Sequence, residues 1–192
     1  MSEKLPQPKI DLRTLHMVEV EAITLIAAEK VILSDNWKKH IEEKYGELAK
    51  HLNHVFLRVK RDGETYVYIP GNKVFGAFKD ALYRRLVEEG RVQEAQQIKH
   101  EFTWREGEII GIYFPETCVG VKVRLGKETG KGRVVVPVEV IQAPCRGYMC
   151  WVGTLPPIFQ QIEVIRVGAW EKHGYGFIRI YWNTKKVIGK LY

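Results

Sequence analysis

Apolar and polar positions are most clearly ordered between Thr65 and Glu89. A β-branched and aromatic run, Tyr66 to Ile69, meets Pro70-Gly71-Asn72. Beyond it Val74, Phe75, Phe78, Leu82 and Leu86 recur at helical spacing, with Lys79, Arg84 and Arg85 between them. The pattern predicts a strand, a tight turn and an amphipathic helix. Upstream, Met17 to Ile26 mixes alternation with β-branched residues and predicts one strand, with Glu19 and Glu21 on the same side. Lys30 to Leu33 extends or follows it. Ser34-Asp35-Asn36 then offers caps to a helix carrying Trp37, Ile41, Tyr45, Leu48 and Leu52 on one stripe, which Gly46 weakens locally. Val55 to Lys60 and Thr65 to Ile69 flank Arg61-Asp62-Gly63-Glu64, where Asp-Gly predicts a hairpin. Gly90 closes the central helix, and Arg91 to Phe102 reads as a more polar helical piece.

From Glu108 onward the periodicity becomes that of strands: Ile109 to Phe114, Val119 to Leu125, Arg133 to Gln142 and Gly147 to Val152. Gly126 to Arg133 is a glycine-rich hairpin tip. Leu155-Pro156-Pro157 interrupts the pattern, and Phe159 to Val167 reads as a strand or a short helix. A loop from Gly168 to Gly176 precedes an alternating strand from Phe177 to Trp182.

Composition narrows the class. With 192 residues, 45% hydrophobic and 28% charged, the chain is of globular type and suits one domain with insertions. No apolar run approaches the roughly 18 residues of a spanning helix, and no secretory signal is seen, so a cytosolic protein without a membrane partner is expected. Cys118, Cys145 and Cys150 form no close pair and have no matching histidine cluster. Buried free thiols are expected, with neither a disulfide framework nor zinc. The net charge of +7 is unevenly placed: Met1 to Val119 holds 18 basic against 19 acidic residues, Gly120 to Tyr192 holds 12 against 4. A C-terminal part so charged suits nucleic acid first, then a membrane surface or an acidic protein, or a basic but idle surface.

Three segments carry candidate chemistry. At the Pro-Gly-Asn turn, Gly71 permits backbone geometry closed to other residues, Asn72 can accept a bond from free helix amides, and Lys73 adds a cation. The alternative is a plain turn with a cap. In the hairpin tip, Lys127, Lys131 and Arg133 can meet a phosphate backbone or serve solubility. In the third, Gly168, Gly174 and Gly176 stand with Trp170, Lys172, His173 and Tyr175. These offer close approach, a cation and stacking surface for RNA, or else a core anchor. The spacings fit neither the dinucleotide fingerprint nor the P-loop, and no cofactor or metal is expected. His40, His51 and His54 read as solvated helix histidines.

In this order the strand Met17 to Ile26, the Pro-Gly turn opening a basic helix from Ile69 to Arg85, and the glycine-rich loop before a late strand, Gly168 to Ile180, together resemble the RAMP superfamily of CRISPR-associated proteins. Gly126-Lys127-Glu128-Thr129-Gly130 followed by Val138 to Pro144 resembles the hairpin and next strand of the backbone subunits that coat guide RNA. Here Asn72 stands where those subunits usually carry serine, and Gly174-Tyr175-Gly176 lacks an adjacent glycine pair. The resemblance implies an α+β fold with a ferredoxin-like, RNA-recognition-type antiparallel sheet, packed helices and β-rich insertions. It implies one domain over residues 1–192, with a helical insertion at about 36–54 and a β-hairpin insertion at about 119–142. Its implied partners are CRISPR RNA and other CRISPR-associated subunits. Some such subunits cleave RNA with an aspartate after the first strand, where Asp35 stands here as a cap or a catalytic group. Related nucleases use histidine, which makes His16, His40 and His173 candidates.

Three readings follow. In the first, an RNA-binding subunit of a CRISPR ribonucleoprotein tracks phosphates with Lys73, Lys79, Arg84, Arg85, Lys127, Lys131, Arg133, Lys172 and His173, while Trp170 or Tyr175 stacks on a base. The second is a RAMP-type endoribonuclease. The third is a protein-interaction subunit that binds no RNA.

Overall fold

The computed structural model describes residues 14–102, 104–130 and 132–190. Their strands and α-helices run in the order β1 (Thr14–Ala22), β2 (Ile26–Ala27), α1 (Asp35–Tyr45), β3 (Leu57–Arg61), β4 (Glu64–Pro70), α2 (Gly71–Glu88), α3 (Val92–Glu101), β5 (Gly107–Pro115), β6 (Val119–Thr129), β7 (Gly132–Ile141), β8 (Cys145–Gly153), β9 (Val164–Arg166) and β10 (Phe177–Lys190). The class is mixed α/β. A curled sheet of seven strands has the order β3-β4-β5-β8-β1-β10-β9, and a smaller sheet has the order β2-β7-β6, all pairings antiparallel.

Alternation along the strands decides which side of the large sheet is covered. Val18 and Val20 of β1, Ile112 and Phe114 of β5, Met149 and Trp151 of β8, and Ile178 and Ile180 of β10 are all buried. They share one core with Val74, Phe78, Leu82 and Leu86 of α2, the apolar stripe predicted from spacing. Phe78 stacks on Phe159 with ring centroids 4.8 Å apart, which closes this layer. Each such side chain contributes roughly 1.5–3 kcal/mol on burial.

Several expectations need correction. The segment Met17 to Ile26 is not one strand: β1 ends at Ala22, and Ile26 pairs with Ile141 of β7 in the other sheet. Between them Ile23 donates its amide to the Phe177 carbonyl (3.0 Å) and the Thr24 hydroxyl accepts the Phe177 amide (3.0 Å), so the turn is held by β10 and one strand run serves two sheets. The ambiguous segment after Pro156 is both things in turn, a 3-10 turn at Pro157–Gln161 followed by β9. Asp35 does not cap α1. The cap position is Ser34, without a side-chain bond, and Asp35 lies in the first turn, fully exposed and paired with Lys38 at 3.7 Å. Gly46 ends α1 with φ of 57°, a left-handed value suited to glycine.

The cysteines also depart from expectation. Cys118 and Cys145 are joined by a disulfide, while Cys150 is a buried free thiol. Their 27-residue separation hides the pairing; the topology brings the start of β6 and the start of β8 to one corner, with Cα atoms 6.3 Å apart.

A buried ionic cluster joins the two sheets and α1. Arg58 of β3 is only 4% exposed and Glu139 of β7 not at all. The Arg58 guanidinium donates from both terminal nitrogens to the two Glu139 oxygens, the Nη1 bond being 2.8 Å, and from Nε to Glu116 at 2.6 Å. Tyr45 of α1 and the Phe56 amide also donate to Glu139, the latter at 3.0 Å. His40, expected to be a solvated helix histidine, instead places Nε2 at 2.8 and 3.0 Å from the Glu116 oxygens. Burial raises the Glu116 pKa, but the hydrogen bonds from Arg58 and His40 outweigh it and hold it below the ordinary carboxylate value.

Glu139→Ala removes the forked partner of the buried Arg58 and leaves it only Glu116, and urea denaturation is expected to show a loss of roughly 3–5 kcal/mol. The double variant Arg58→Met/Glu139→Leu should recover most of it. Because the folded pKa of Glu116 is depressed, its contribution is present above the unfolded carboxylate pKa and lost as pH falls through the folded one. Glu116→Gln should therefore flatten the acid limb of a stability-against-pH curve.

Candidate nucleic-acid interface

The opening of α2 is set by two backbone constraints. Pro70 precedes the helix with φ of −63° and an extended ψ, and Gly71 is its first residue. Gly71 is not there for unusual dihedrals, as its place in the turn suggests. It crosses the β5 backbone so closely that a Cβ would overlap the Ile109 carbonyl oxygen. The Asn72 side chain accepts the Lys73 amide at 2.9 Å, satisfying one of the free donors at this end.

Asn72 and Lys73 line a cleft of about 410 Å³ whose other wall includes Arg166, Gly168 and Glu171. The structure thus brings the Pro-Gly-Asn turn and the start of the late glycine loop together. The loop hangs from β2 and the residue before it: Ala169 donates to Ala27 at 3.0 Å and Gly176 to Leu25 at 2.8 Å. Gly168 has φ of 84° and a Cβ there would meet the Ala27 carbonyl, so this approach excludes a side chain. Arg166 is steadied by its Nε bond to the Tyr175 carbonyl (3.0 Å) and lies over the Phe177 ring at 4.6 Å.

The cleft is electrostatically mixed. Lys30, Lys73 and Arg166 face Glu29, Asp80 and Glu171, and Lys73 is 3.3 Å from Glu29. An anion here competes with Glu29 for Lys73. A neighbouring groove of about 210 Å³ shares Asp80, Arg166 and Glu171 and adds Arg84 and Arg85, so the depression continues along α2. Arg85 pairs with Glu89 at 3.2 Å and is partly held by the Gln161 carbonyl.

Other sequence-selected residues lie elsewhere. Lys79 points to α3, over the Phe75 ring at 5.8 Å and 3.4 Å from the Lys99 carbonyl, away from Lys73. Lys172 and His173 sit exposed in a 3-10 turn, Glu171–His173. Trp170 adopts left-handed φ of 64° and packs at the core margin, 6.1 Å from the Tyr175 ring. The Tyr175 hydroxyl meets Lys122 of β6 at 2.7 Å, which ties the loop to the root of the hairpin. Lys127 and Arg133 fall on the backbone of β6 and β7, and Lys131 lies outside the described residues.

The catalytic candidates do not assemble. Asp35 is in solvent, His40 is bound to Glu116, His173 is 6.3 Å from the Tyr175 ring, and His16 stacks on Trp151 at 5.2 Å. Burial, then the charge of Lys185, lowers the His16 pKa. Among the described residues no hydrogen bond or ion pair joins two of the four, and no group of three or more His, Cys, Asp and Glu side chains is placed to hold a metal. No helix among them is long and apolar enough to cross a membrane. Sequence reasoning missed Glu29, Lys30, Asp80 and Arg166. Asp80 was legible as the acid one turn before Arg84; the other three belong to segments whose placement only topology fixes.

Two glycines of α2 test this geometry. Gly71→Ala should lower stability by about 1–3 kcal/mol through overlap with β5, whereas Gly76→Ala, which meets nothing within 4 Å, should raise it by roughly 0.5–1 kcal/mol; thermal unfolding of both variants checks the contrast.

No family model matches the sequence, and no curated protein matches it. The fold is similar to that of a chain in the type III-B Cmr-beta complex bound to cognate target RNA, with a TM-score of 0.53 and 16% identity over 92% of this chain. This protein spans 61% of that chain. A chain of a type IV-B CRISPR complex aligns over 91% of this protein and 90% of its own length, with a TM-score of 0.47 and 11% identity. At 16% identity the first of these likenesses is one of fold alone.

Proposed function

We propose that this protein is an RNA-binding subunit of a CRISPR ribonucleoprotein effector complex, assembled with other CRISPR-associated subunits. The observation that carries this reading is the convergence of the α2 N-terminus and the start of the glycine loop on one cleft. A helix N-terminus favours an anion, and Lys73, Arg166 and Arg84 add mobile and fixed cations along the same depression. The fold likeness to a chain of an RNA-bound CRISPR complex supports the assignment.

The ferredoxin-like reading of the sheet belongs to the same proposal. The central order β5-β8-β1-β10, with α2 crossing between β1 and β5, supports this reading. Such a sheet would carry a second helix between β8 and β10, where this chain has the 3-10 turn Pro157–Gln161 and β9. On this reading residues 1–192 are one RAMP-like domain, the segment near 36–54 and the hairpin near 119–142 being insertions. In solution the RNA follows the cleft and groove, and Lys172 with His173, exposed beside the cleft wall, extends the path of phosphates.

Binding of a labelled single-stranded RNA across a salt series tests the proposal. The wild type should bind with a steep dependence on salt. Lys73→Ala/Arg84→Ala and Lys172→Ala/His173→Ala should each bind more weakly, with the slope of log K against log salt reduced by about 0.7 for every phosphate that the variant no longer neutralises. Absence of binding at low salt, or slopes unchanged in both variants, would overturn it.

A further inference from the structure

The face of the large sheet turned away from α2 carries a row of side chains of which only the β3–β4 end, Leu57 and Tyr68, also lines the cleft. Register places Leu57, Tyr68, Tyr113, Tyr148, Glu19 and Tyr181 opposite one another across β3, β4, β5, β8, β1 and β10. In the flanking positions Tyr66 pairs with Val59, and Glu21 lies between Arg146 and Arg179. The sheet curls across this face, so that Met17, Arg61, Tyr66, Tyr113, Tyr148 and Cys150, from five strands, line one hollow of about 140 Å³. Tyr68 and Tyr113 are stacked at 5.6 Å, and the Arg146 guanidinium lies 4.5 Å over the Tyr181 ring while its Nε pairs with Glu21 at 3.0 Å. Tyr148 is 39% exposed. Among the described residues the Tyr68, Tyr113 and Tyr148 hydroxyls, the Glu19 carboxylate and the Arg61, Arg179 and Lys186 cations make no hydrogen bond or ion pair.

What such a face takes follows from what it offers. Its outward positions hold the π-surface and hydroxyls of five tyrosines, with Leu57, Val59 and Met17 between them, which suits flat partners with polar edges. Arg61, Arg179 and Lys186 leave unpaired cations around the tyrosines, complementary to the phosphates that follow stacked bases. Glu19 stands in the row between Tyr148 and Tyr181 as an acceptor for an amino group on a base edge. We propose that this concave sheet face is a base-stacking surface for single-stranded nucleic acid, with Glu19 favouring bases that present an amino group. The surface lies on the opposite side of the sheet from α2; it shares Leu57 and Tyr68 with the edge of the cleft, while Tyr113, Tyr148, Glu19 and Tyr181 belong to it alone.

The test uses the full chain and two labelled oligomers of equal length, an oligocytidine and its abasic counterpart, which keeps the phosphates and lacks the bases. Wild type should prefer oligocytidine by roughly tenfold or more. Tyr113→Leu/Tyr148→Leu should abolish that ratio, Tyr113→Phe/Tyr148→Phe should keep it, and Glu19→Gln should narrow the preference for oligocytidine over oligouridine. Lys73→Ala/Arg84→Ala should weaken both oligomers alike and leave the ratio intact, so the cleft reading stands or falls separately. Photocrosslinking of wild type with 5-iodocytidine should give adducts on Tyr113, Tyr148 or Tyr181. Equal affinity for the two oligomers, adducts confined to the cleft, or binding of neither oligomer would overturn the proposal.

Discussion

One buried guanidinium holds this architecture together. Arg58 is buried, so its charge requires Glu139 and Glu116 at full hydrogen-bonding distance. Glu139 comes from the smaller sheet and Glu116 from the turn leading into it, while Tyr45 and His40 reach in from α1. The helical segment and the hairpin are therefore coupled through one set of charges. A hydrophobic contact of Ile41, Leu52 and Val55 with Tyr45 and Val121 packs beside the same junction. Apolar contact alone fixes neither angle nor register; the forked pairing of Arg58 with Glu139 fixes both.

The cleft depends on this junction and on close backbone crossings. β2 belongs to the smaller sheet, yet it carries the hydrogen bonds from which the glycine loop hangs. Gly71 against β5 and Gly168 against Ala27 bring opposing walls nearer than any side chain would permit. The cations then enter at fixed places. Arg166 is held by backbone and by an aromatic ring, whereas Lys73 is exposed and paired with Glu29.

What the sequence made legible was local. The α2 stripe, the Asp62-Gly63 hairpin and the alternating strands follow from short-range periodicity, and the structure forms them where the pattern lies. The break after Ala22, the Cys118–Cys145 bond and the burial of Arg58 depend on partners 27 to 154 positions away, which no window of sequence displays. Gly71 and Trp170 show the limit from the other side. A glycine in a turn suggested unusual dihedrals and instead makes room for a backbone, while a tryptophan, the residue least suited by bulk, takes the left-handed turn. The tyrosines of the open sheet face were visible singly; their alignment in one row needed the register of six strands.

The last strand has a further consequence for how sheets of this kind meet. Beyond Trp182, β10 has β1 on one side and no strand on the other among the described residues. Its free edge is lined with Lys185, Lys186 and Lys190, and Val187 on the same stretch is well exposed. An open edge invites hydrogen bonding by another chain, but two copies of this edge bring like charges together at each approach. The sheet is thereby protected against growing into itself.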